Sequence, residues 1–233
     1  MSQSIIVTGG TGNLGSAIVR KFAKEKFTVF VPVTSIHKFK EMFDTSQNNE
    51  IYTFNRIYAF ECDATDSSSV KNFVHSVRNL AHNEIEGIVN TIGGIHSPVK
   101  IENISNDQLN EYWNLNFISS FNFTREILPW LREQKKGTIV YTSAKAILNP
   151  FPERFIYLLS KKSLLTLAEA VRMEYNNFNI NTYTLLPGII DTPENRKWGT
   201  EEEIQNWTKP ETIAEIVFKI FSKTESFDNI IKL

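Results

Sequence analysis

The sequence predicts a single α/β domain in which helices cover both faces of a doubly wound parallel sheet. Short apolar runs with strand character alternate with helical patterns from one end of the chain to the other. The length of 233 residues, with 41% hydrophobic and 22% charged residues, is typical of one globular domain. Repeated strand–helix units bring successive strands side by side in parallel, because each helix returns the chain to the same edge.

The elements can be placed in order from their periodicity. The strand candidates are apolar runs at 4–8, 27–33, 57–61, 85–90, 137–142 and 180–186, with a terminal candidate at 229–233. The helical patterns lie at 13–25, 36–43, 67–80, 107–133, 157–175 and 210–222. Ligands of such sheets bind outside the carboxyl ends of the strands. We therefore expect one domain over 1–233, with its site in the loops that follow the strands.

Composition excludes several classes of function. The net charge of −1 gives no electrostatic argument for a nucleic-acid or membrane partner. No apolar run approaches the roughly 18 residues that span a bilayer, and MSQSIIVTGG lacks the basic region of a signal peptide. The single cysteine, Cys62, excludes an internal disulfide and has no Cys or His cluster beside it. We expect a cytoplasmic protein with a small-molecule substrate, a buried structural thiol and no metal site.

A glycine-rich turn follows the first strand. In IIVTGGTGNLGSAIV, Gly10, Gly12 and Gly15 match G-x-G-x-x-G, and Gly9 gives a second, evenly spaced match. Glycines allow a sharp turn and bring backbone N–H groups against a pyrophosphate at a helix N-terminus. A tight turn without a ligand is the alternative, but the strand before and the helix after favour a dinucleotide site of the Rossmann type.

The second strand bears on the choice of dinucleotide. NAD sites usually have an acid about 20 residues beyond the glycines, but no acid lies between Glu25 and Glu41. Thr34 can reach a ribose or phosphate, and Lys38 and Lys40 follow it. The sequence therefore favours NADP(H) over NAD(H), although the lysines could equally form a solvated helix face.

Tyr-x-x-x-Lys, a pair suited to protonating a carbonyl, occurs twice, as YTSAK and YLLSK. Tyr141 lies in a predicted strand, where four residues span about 13 Å, so it cannot contact Lys145. Tyr157 and Lys161 lie on a predicted helix, where side chains four residues apart are about 5–6 Å apart at Cβ. Only Tyr157 and Lys161 can work as a pair.

Six motifs in this order, TGGTGNLG, ECDATD, GIVNTIGG, WNLNF, YLLSK and LLPGIIDT, resemble the short-chain dehydrogenase/reductase family over nearly the full length. The resemblance implies that the catalytic residues are Tyr157, Lys161 and Asn116. It also implies a set of cofactor-binding residues, which are Gly9, Thr11, Gly12, Asn13, Leu14, Gly15, Thr34, Asp63, Ala64, Asn90, Gly93, Tyr157, Lys161, Pro187, Gly188, Ile190 and Thr192.

The chemistry that the resemblance implies is hydride transfer from a nicotinamide while Tyr157 donates a proton to the developing oxyanion. Free tyrosine has a pKa near 10, and we expect Lys161 to lower it and to hold the nicotinamide ribose. Asn116 would kink its helix and hold a water that relays protons to Lys161.

One position departs from the family pattern. The usual Ser, 13 residues before the Tyr, is Ala144 here, and Ser143 beside it would point to the other face of the strand. Either Ser143 substitutes in positioning the substrate, or the enzyme works without that hydroxyl. SAKAIL and DTPENRK resemble the dihydropteridine reductase branch, which has Ala at this position. Against that branch, the second strand has no acid after it, and Ile95 stands where the branch has Trp.

The remaining predictions concern the substrate side and assembly. The long polar connection at 188–209 suggests a substrate lid, in which Trp198 and Trp207 either stack on a planar substrate or pin the loop. His96 could line the pocket. The family pairs the helices at 107–133 and 157–175 across a dimer axis, which implies a homodimer.

Three functions remain open. The leading hypothesis is an NAD(P)H-dependent reductase of a small carbonyl, imine or quinonoid substrate. The second is a dihydropteridine-reductase-like enzyme, and the third is a non-catalytic NADP-sensing protein. A sensor would have no reason to keep both Tyr157 and Lys161.

Overall fold

The computed structural model describes residues 3–43, 52–54, 56–82 and 84–233. Its strands are β1 (Ser4–Val7), β2 (Thr28–Val33), β3 (Tyr52–Phe54), β4 (Ile57–Glu61), β5 (Gly87–Asn90), β6 (Gly137–Thr142), β7 (Ile180–Leu186) and β8 (Ile230–Lys232). They form one sheet in the order β3-β4-β2-β1-β5-β6-β7-β8. All neighbours pair in parallel except β3, which pairs antiparallel with β4 at the edge.

The α-helices are α1 (Asn13–Lys24), α2 (Ile36–Phe43), α3 (Ser67–Leu80), α4 (Asn106–Trp113), α5 (Ser119–Gln134), α6 (Phe155–Tyr175), α7 (Pro193–Arg196), α8 (Glu201–Ile204) and α9 (Pro210–Ser222). A π-helical turn, Asn114–Ile118, joins α4 to α5. Short 3-10 turns lie at Ile101–Asn103, Lys145–Ile147 and Asn176–Phe178. Among the described residues, no helix has the length and apolar character needed to cross a membrane.

Two apolar cores lie on opposite faces of the sheet, as expected for a doubly wound fold. Alternation along β1 shows why: Ile5 and Val7 join the core under α1, α2 and α9, whereas Ile6 joins the core under α3, α5 and α6. The second core also buries Trp130 and the free thiol of Cys62. Burial raises the pKa of Cys62 to about 11, which fits the structural role predicted for it.

The predicted fold class is confirmed, and the predicted strands lie within two residues of the observed ones. The prediction of one helix over 107–133 is wrong in its continuity, because the π-helical turn divides it into α4 and α5. The edge strand β3 was not predicted. The helix predicted at 157–175 begins two residues earlier, at Phe155.

The order of the strands indicates where along the sheet a ligand is expected to bind. From β1 the chain winds outward through β2 and β4, then returns to β5 on the other side of β1 and continues through β6, β7 and β8. The carboxyl ends of β1 and β5 therefore flank the point where the winding direction reverses, which is where such sheets bind ligands.

Candidate active site

The glycine turn between β1 and α1 has a shape that only glycine allows at two positions. Gly9 has φ of +65°, in the left-handed region, and its carbonyl accepts from Gly12 N–H at 2.8 Å. A Cβ on Gly15 would collide with the same carbonyl of Gly9. No side chain caps α1, and the first N–H groups of a helix that is not capped can bind an anionic ligand.

Two threonines fasten this turn to the next strand. Thr91 N–H donates to the Thr8 hydroxyl at 3.2 Å, and the Thr91 hydroxyl donates to the Thr8 carbonyl at 2.6 Å. The end of β1 is thus held against the end of β5, and the glycine turn lies beside the residues that follow β5.

The residues predicted to meet the adenosine half lie at the ends of β2 and β4. Thr34 is exposed directly after β2. The carboxylate of Asp63 accepts from the Thr65 hydroxyl at 2.7 Å and from Thr65 N–H at 2.8 Å, and these bonds hold its pKa below the usual range. Asn122 donates to the carbonyl of Ala64 at 3.1 Å, which fixes the turn after β4.

Four buried side-chain atoms of the described residues have no hydrogen-bond partner: Asn90 Oδ1 and Nδ2, Thr142 Oγ1 and His96 Nε2. Asn90 and Thr142 end β5 and β6, and His96 lies in the loop after β5. A buried polar atom without a partner costs about 1–3 kcal/mol. Their grouping at one edge of the sheet is typical of a site in which a ligand supplies the missing partners.

Lys161 and Asn116 converge on the glycine pair after β5. Lys161 is 5% exposed, and its ammonium donates to the carbonyl of Thr142 at 2.9 Å. A Cβ built on Gly93 would lie 2.5 Å from Lys161 Nζ and 2.8 Å from Asn116 Oδ1. Burial lowers the pKa of Lys161 to about 8.

Asn116 owes its position to the π-helical turn. Its side chain is fully buried, accepting from Gly94 N–H at 2.7 Å and donating to the Gly94 carbonyl at 3.1 Å. Asn114, two residues earlier, is exposed. The turn therefore takes the place of the predicted kink, since an extra residue in a helix turns one side chain inward.

Tyr157 lies half-buried in the first turn of α6, one helical turn before Lys161. Burial raises its pKa to about 12, and the nearby charge of Arg154 lowers it. Lys161 is not among the groups that shift this pKa here, and its ammonium donates to the Thr142 carbonyl, so the role expected of Lys161 beside Tyr157 stays a prediction. Sequence reasoning missed Arg154, whose only signal was a cation one helical turn before the Tyr.

The other Tyr-x-x-x-Lys copy is structural. Tyr141 is fully buried in β6, and its hydroxyl lies 2.9 Å from the Thr124 hydroxyl. Lys145 is exposed beyond the end of the strand. The structure therefore separates them as the strand geometry predicted.

Comparison with known proteins identifies the family. The model described as short chain dehydrogenase matches residues 3–203. This chain belongs to the short-chain dehydrogenase/reductase family. The 3-oxoacyl-acyl-carrier-protein reductase of Thermotoga maritima is 23% identical over 230 residues, which cover 95% of this chain and 91% of that protein. The 3-dehydrosphinganine reductase of Danio rerio is 26% identical over 226 residues, or 92% of this chain and 67% of that protein.

Solved structures agree on the fold. The structure of ElxO with NADP bound superposes with a TM-score of 0.87 at 18% identity, covering 100% of this chain and 97% of that one. The 3-ketoacyl-acyl-carrier-protein reductase of Brucella melitensis complexed with NADH gives 0.85 at 16% identity, covering 99% and 96%. The resemblance to the dihydropteridine reductase branch is not shown by these relatives.

In this short-chain dehydrogenase/reductase, the position of the usual serine carries no hydroxyl. Ala144 is buried with an extended backbone. The hydroxyl of Ser143 donates to the main-chain carbonyl of Lys161 at 2.7 Å and is 2% exposed. Ser143 thus packs β6 onto α6, and its hydroxyl is already engaged.

The 188–209 segment carries two short helices and contacts the start of α1, where the side-chain amide of Asn13 donates to the carboxylate of Glu194 at 2.8 Å. Its two ends meet where Thr208 N–H donates to the Ile189 carbonyl at 3.0 Å and Asp191 N–H donates to the Thr208 carbonyl at 2.9 Å. The hydroxyl of Thr192 caps α7, accepting from Asn195 N–H at 3.1 Å. Pro187 is buried, Gly188 is exposed and Ile190 is half-buried along the start of the segment.

The two tryptophans of the segment differ in burial. Trp207 is half-buried, and its ring lies so close to Gly199 that a Cβ there would collide with it. Trp198 is 59% exposed, with its ring centroid 5.0 Å from that of Trp207. Trp207 therefore pins the segment, and Trp198 remains open to a ligand.

A cavity of about 500 Å³ lies between α1, α7 and the start of α9. It borders the glycine turn at Asn13 and the segment at Thr192, but neither Tyr157 nor Lys161 lines it. The unpartnered polar atoms, Lys161 and Tyr157 lie instead near the carboxyl ends of β5 and β6. No group of His, Cys, Asp and Glu among the described residues could hold a metal ion.

Proposed function

We propose that this protein is an NAD(P)H-dependent reductase that transfers a hydride to a small carbonyl, imine or quinonoid substrate, with Tyr157 as the proton donor. The observation that carries the proposal is the convergence of Lys161 and Asn116 on Gly93, one helical turn from Tyr157. A fully buried Asn and a nearly buried Lys beside a glycine pair have no packing purpose that apolar residues would not serve better.

The residues present fit a nicotinamide dinucleotide. The glycine turn leaves a cradle that side chains would fill, and the buried amide of Asn90 lacks partners at its edge. We propose that Gly9, Thr11, Gly12, Asn13, Leu14 and Gly15 hold the pyrophosphate side, that Thr34, Asp63 and Ala64 hold the adenosine side, and that Asn90, Gly93, Tyr157, Lys161, Pro187, Gly188, Ile190 and Thr192 hold the nicotinamide side. The bound dinucleotide would supply the hydride.

The protein's own task is then to deliver a proton. With a pKa of about 12, Tyr157 keeps its proton at neutral pH and can donate it to a substrate oxygen or nitrogen that gains negative charge. Lys161 is anchored on Thr142 at the end of β6, and its lowered pKa of about 8 suits it to pass a proton onward. Asn116 fixes the Gly94 backbone beside them.

NADP(H) is favoured over NAD(H) by the charges near the end of β2. The first residues of α2 include the cation Lys38, four residues after Thr34, and no acid follows β2 before Glu41. A cation without a nearby carboxylate after this strand supports an extra phosphate on the adenosine ribose. Lys38→Glu should lower kcat/KM for NADPH more than for NADH, and an equal loss for both would contradict the preference.

A dihydropteridine-reductase-like activity is the second candidate, and a specific observation favours it. Ala144 has no hydroxyl, and the hydroxyl of Ser143 donates to the main-chain carbonyl of Lys161 at 2.7 Å, which supports a substrate that needs no serine beside it. A quinonoid substrate needs less help at its oxyanion than a ketone does, so it tolerates this loss.

The test follows the loss of nicotinamide absorbance with NADPH or NADH and a panel of quinonoid dihydropterin, ketones and quinones. Fast turnover of the pterin alone supports the second candidate, and turnover of ketones supports the broader one. Tyr157→Phe is the control. A Tyr157→Phe enzyme that keeps full activity, or a wild-type protein that binds the dinucleotide and turns nothing over, contradicts the proposal and favours the non-catalytic sensor.

We also propose a homodimer through α4, α5 and α6. Phe117 stacks on Phe121 with ring centroids 6.1 Å apart along the π-turn and α5, and α6 exposes Phe155, Leu159 and Met173. Apolar side chains on two neighbouring helices are typical of a self-complementary interface. Sedimentation equilibrium should give twice the chain mass, and Leu159→Glu should give monomers.

A further inference from the structure

The 188–209 segment reaches the start of α1 through Glu194. This residue lies in α7, and its carboxylate accepts from the side-chain amide of Asn13, the first residue of α1, at 2.8 Å. The amide nitrogen of an asparagine is only a few bonds from its own main chain, so the carboxylate lies within about 8 Å of the Asn13 N–H. A negative charge of the protein is therefore placed beside the first turn of α1.

The first turn of α1 is also where the proposed function puts the pyrophosphate. The N–H groups of Asn13, Leu14 and Gly15 have no partner within the helix, and the N-cap residue, Gly12, has no side chain to cap them. The positive end of the helix dipole attracts an anion there. The carboxylate of Glu194 and the phosphates of a dinucleotide are therefore drawn to the same turn.

Glu194 carries its charge at neutral pH. A hydrogen bond from its own main-chain N–H and the bond from Asn13 hold the pKa of its carboxyl below the usual range. The phosphates of a dinucleotide are ionised as well, and like charges within a Debye length, about 8 Å at physiological salt, are not fully screened. The carboxylate therefore opposes phosphate binding for as long as it stays on Asn13.

Helix α7 can leave α1 without disturbing the core. It buries none of its residues. Two further bonds of α7 stay within the segment, since Arg196 pairs with Asp191 and the side chain of Asn195 donates to the Ile190 carbonyl at 2.8 Å. The cavity of about 500 Å³ between α7, α1 and the start of α9 gives the helix room on one side. A shift of α7 therefore breaks few contacts of the kind that hold a core element in place.

The base of the segment is fixed, in contrast to α7. Thr208 N–H donates to the Ile189 carbonyl at 3.0 Å, and Trp207 is half-buried. A displacement that starts at Glu194 is therefore confined to α7 and the residues next to it. These include Trp198, whose exposed ring is the candidate for contact with the substrate.

We propose that Glu194 competes with the dinucleotide phosphates for the start of α1, so that cofactor binding displaces α7 and moves the substrate side of the 188–209 segment. The inference rests on the proposed function, in which the ligand of the glycine turn is a nicotinamide dinucleotide. Displacement of the carboxylate lowers the affinity for the cofactor, and it couples the arrival of the cofactor to the position of Trp198.

Two variants separate the charge of Glu194 from its hydrogen bond. Glu194→Gln keeps an oxygen that accepts from Asn13 but carries no charge, and Glu194→Ala removes both the charge and the acceptor. The fluorescence of the reduced nicotinamide gives the dissociation constants of NADPH and NADH. Because a like charge is lost, Glu194→Gln should bind each dinucleotide about 3- to 10-fold more tightly than wild type. Glu194→Ala should gain about 2- to 10-fold more, because it has no bond with Asn13 to break.

The matched control is Glu202→Gln, which removes the charge of an exposed glutamate of α8 in the same segment. The net charge of the protein changes by the same amount as in Glu194→Gln. Unchanged dissociation constants in this control are expected, because the effect belongs to the carboxylate beside α1. A gain equal to that of Glu194→Gln would overturn the competition and leave a general effect of net charge.

Trypsin cleavage measures whether the contact holds the segment, and it needs neither cofactor nor activity. Arg196 ends α7 and Lys197 follows it, so cleavage after these two residues reports on α7. Glu194→Ala should be cut there faster than wild type. Glu194→Gln keeps the bond to Asn13 and should be cut at the wild-type rate, with mass spectrometry identifying the site.

The outcomes separate this inference from the function on which it rests. A wild-type protein that binds neither dinucleotide overturns the proposed function and the inference together. Dinucleotide binding that Glu194→Gln leaves unchanged or weakens overturns the competition alone. Equal affinities of Glu194→Gln and Glu194→Ala overturn the displacement of α7, as does equal trypsin cleavage of Glu194→Ala and wild type.

Discussion

The cofactor half of the candidate site is shaped by the backbone, whereas the substrate half is formed by side chains. On the cofactor side, the turn between β1 and α1 is shaped by backbone geometry: the positive φ of Gly9, the contact that excludes a side chain at Gly15, and the bonds between Thr8 and Thr91. On the substrate side, the loops after β5, β6 and β7 carry exposed apolar side chains, and His96 and Thr142 keep buried atoms without partners. The shape of the glycine turn is therefore held by bonds within the protein, whereas the buried polar atoms on the substrate side still need hydrogen-bond partners, which a ligand can supply.

The largest effect should come from the substrate half. Tyr157→Phe removes the proposed proton donor and should lower kcat by about 10²- to 10⁴-fold. Because the phenyl ring remains, the dissociation constant of the dinucleotide should change little. Steady-state kinetics and fluorescence titration of the cofactor test the two halves separately, and a parallel loss of cofactor binding would show that the halves are not independent.

Changes in the glycine turn should instead weaken dinucleotide binding and lower stability. Gly15→Ala places a methyl group against the Gly9 carbonyl and should cost about 1–3 kcal/mol of stability as well as most of the cofactor affinity. Gly188→Ala is the comparison, because a Cβ there would lie 3.6 Å from the Leu233 carbonyl, an ordinary contact. It should weaken cofactor binding far less. Equal losses in calorimetric titrations of the two variants would contradict the account given for the turn.

Lys161 allows a prediction about pH and stability. Its pKa is lowered by burial from 10.5 to about 8, so the unfolded chain binds more protons than the folded one between these values. The contribution of Lys161 to stability should therefore rise with pH from about 8 to 10.5. Lys161→Met should remove that dependence and raise stability at pH 7 by about 1–3 kcal/mol, since one unit is about 1.4 kcal/mol.

Lys161→Met should also be inactive, so the same ammonium group would lower stability and be required for activity. Urea unfolding of wild type and Lys161→Met across pH 7 to about 10 makes the measurement. Parallel stability curves for the two proteins would show that folding does not lower the pKa of Lys161.

The smallest effects should distinguish the two tryptophans. Trp207→Ala removes a half-buried ring that packs on Gly199 and should lower stability by about 1–2 kcal/mol. Trp198→Ala removes an exposed ring and should change stability by less than about 0.5 kcal/mol, while raising KM for the substrate. Thermal unfolding and KM measured on both variants test this division of roles, and it is wrong if the stability losses are equal.

The sequence predicted the parts of the molecule in which short-range rules decide the outcome. The alternation of apolar strands and helices, the glycine turn, and the choice of Tyr157 over Tyr141 all follow from periodicity over a few residues. The structure confirms the fold that these patterns predict. The site assignments made from the same motifs stay predictions, although Lys161, Asn116 and Gly93 lie together.

The features that the sequence did not predict depend on contacts between distant segments. The side chain of Ser143 is directed by the carbonyl of Lys161, 18 residues further on, and Arg154 by the carbonyl of His96, 58 residues earlier. The edge strand β3 follows no strong apolar alternation. No local pattern encodes such partners, because each becomes visible only when the sheet brings the loops together.

The π-helical turn at Asn114–Ile118 has a consequence for how this helix tolerates change in length. Each residue of an α-helix advances the chain by about 100° and 1.5 Å, and the wide turn absorbs one residue more than a regular helix would. Deletion of a single residue here would give a continuous, regular helix, but it would swing either Asn116 away from Gly94 or the Phe121 face away from its present direction. The π-helical turn therefore lets α4 and α5 run on as one helix while Asn116 reaches Gly94 and Phe121 keeps its own direction. Removal of one residue would make the helix regular at the cost of one of these two contacts.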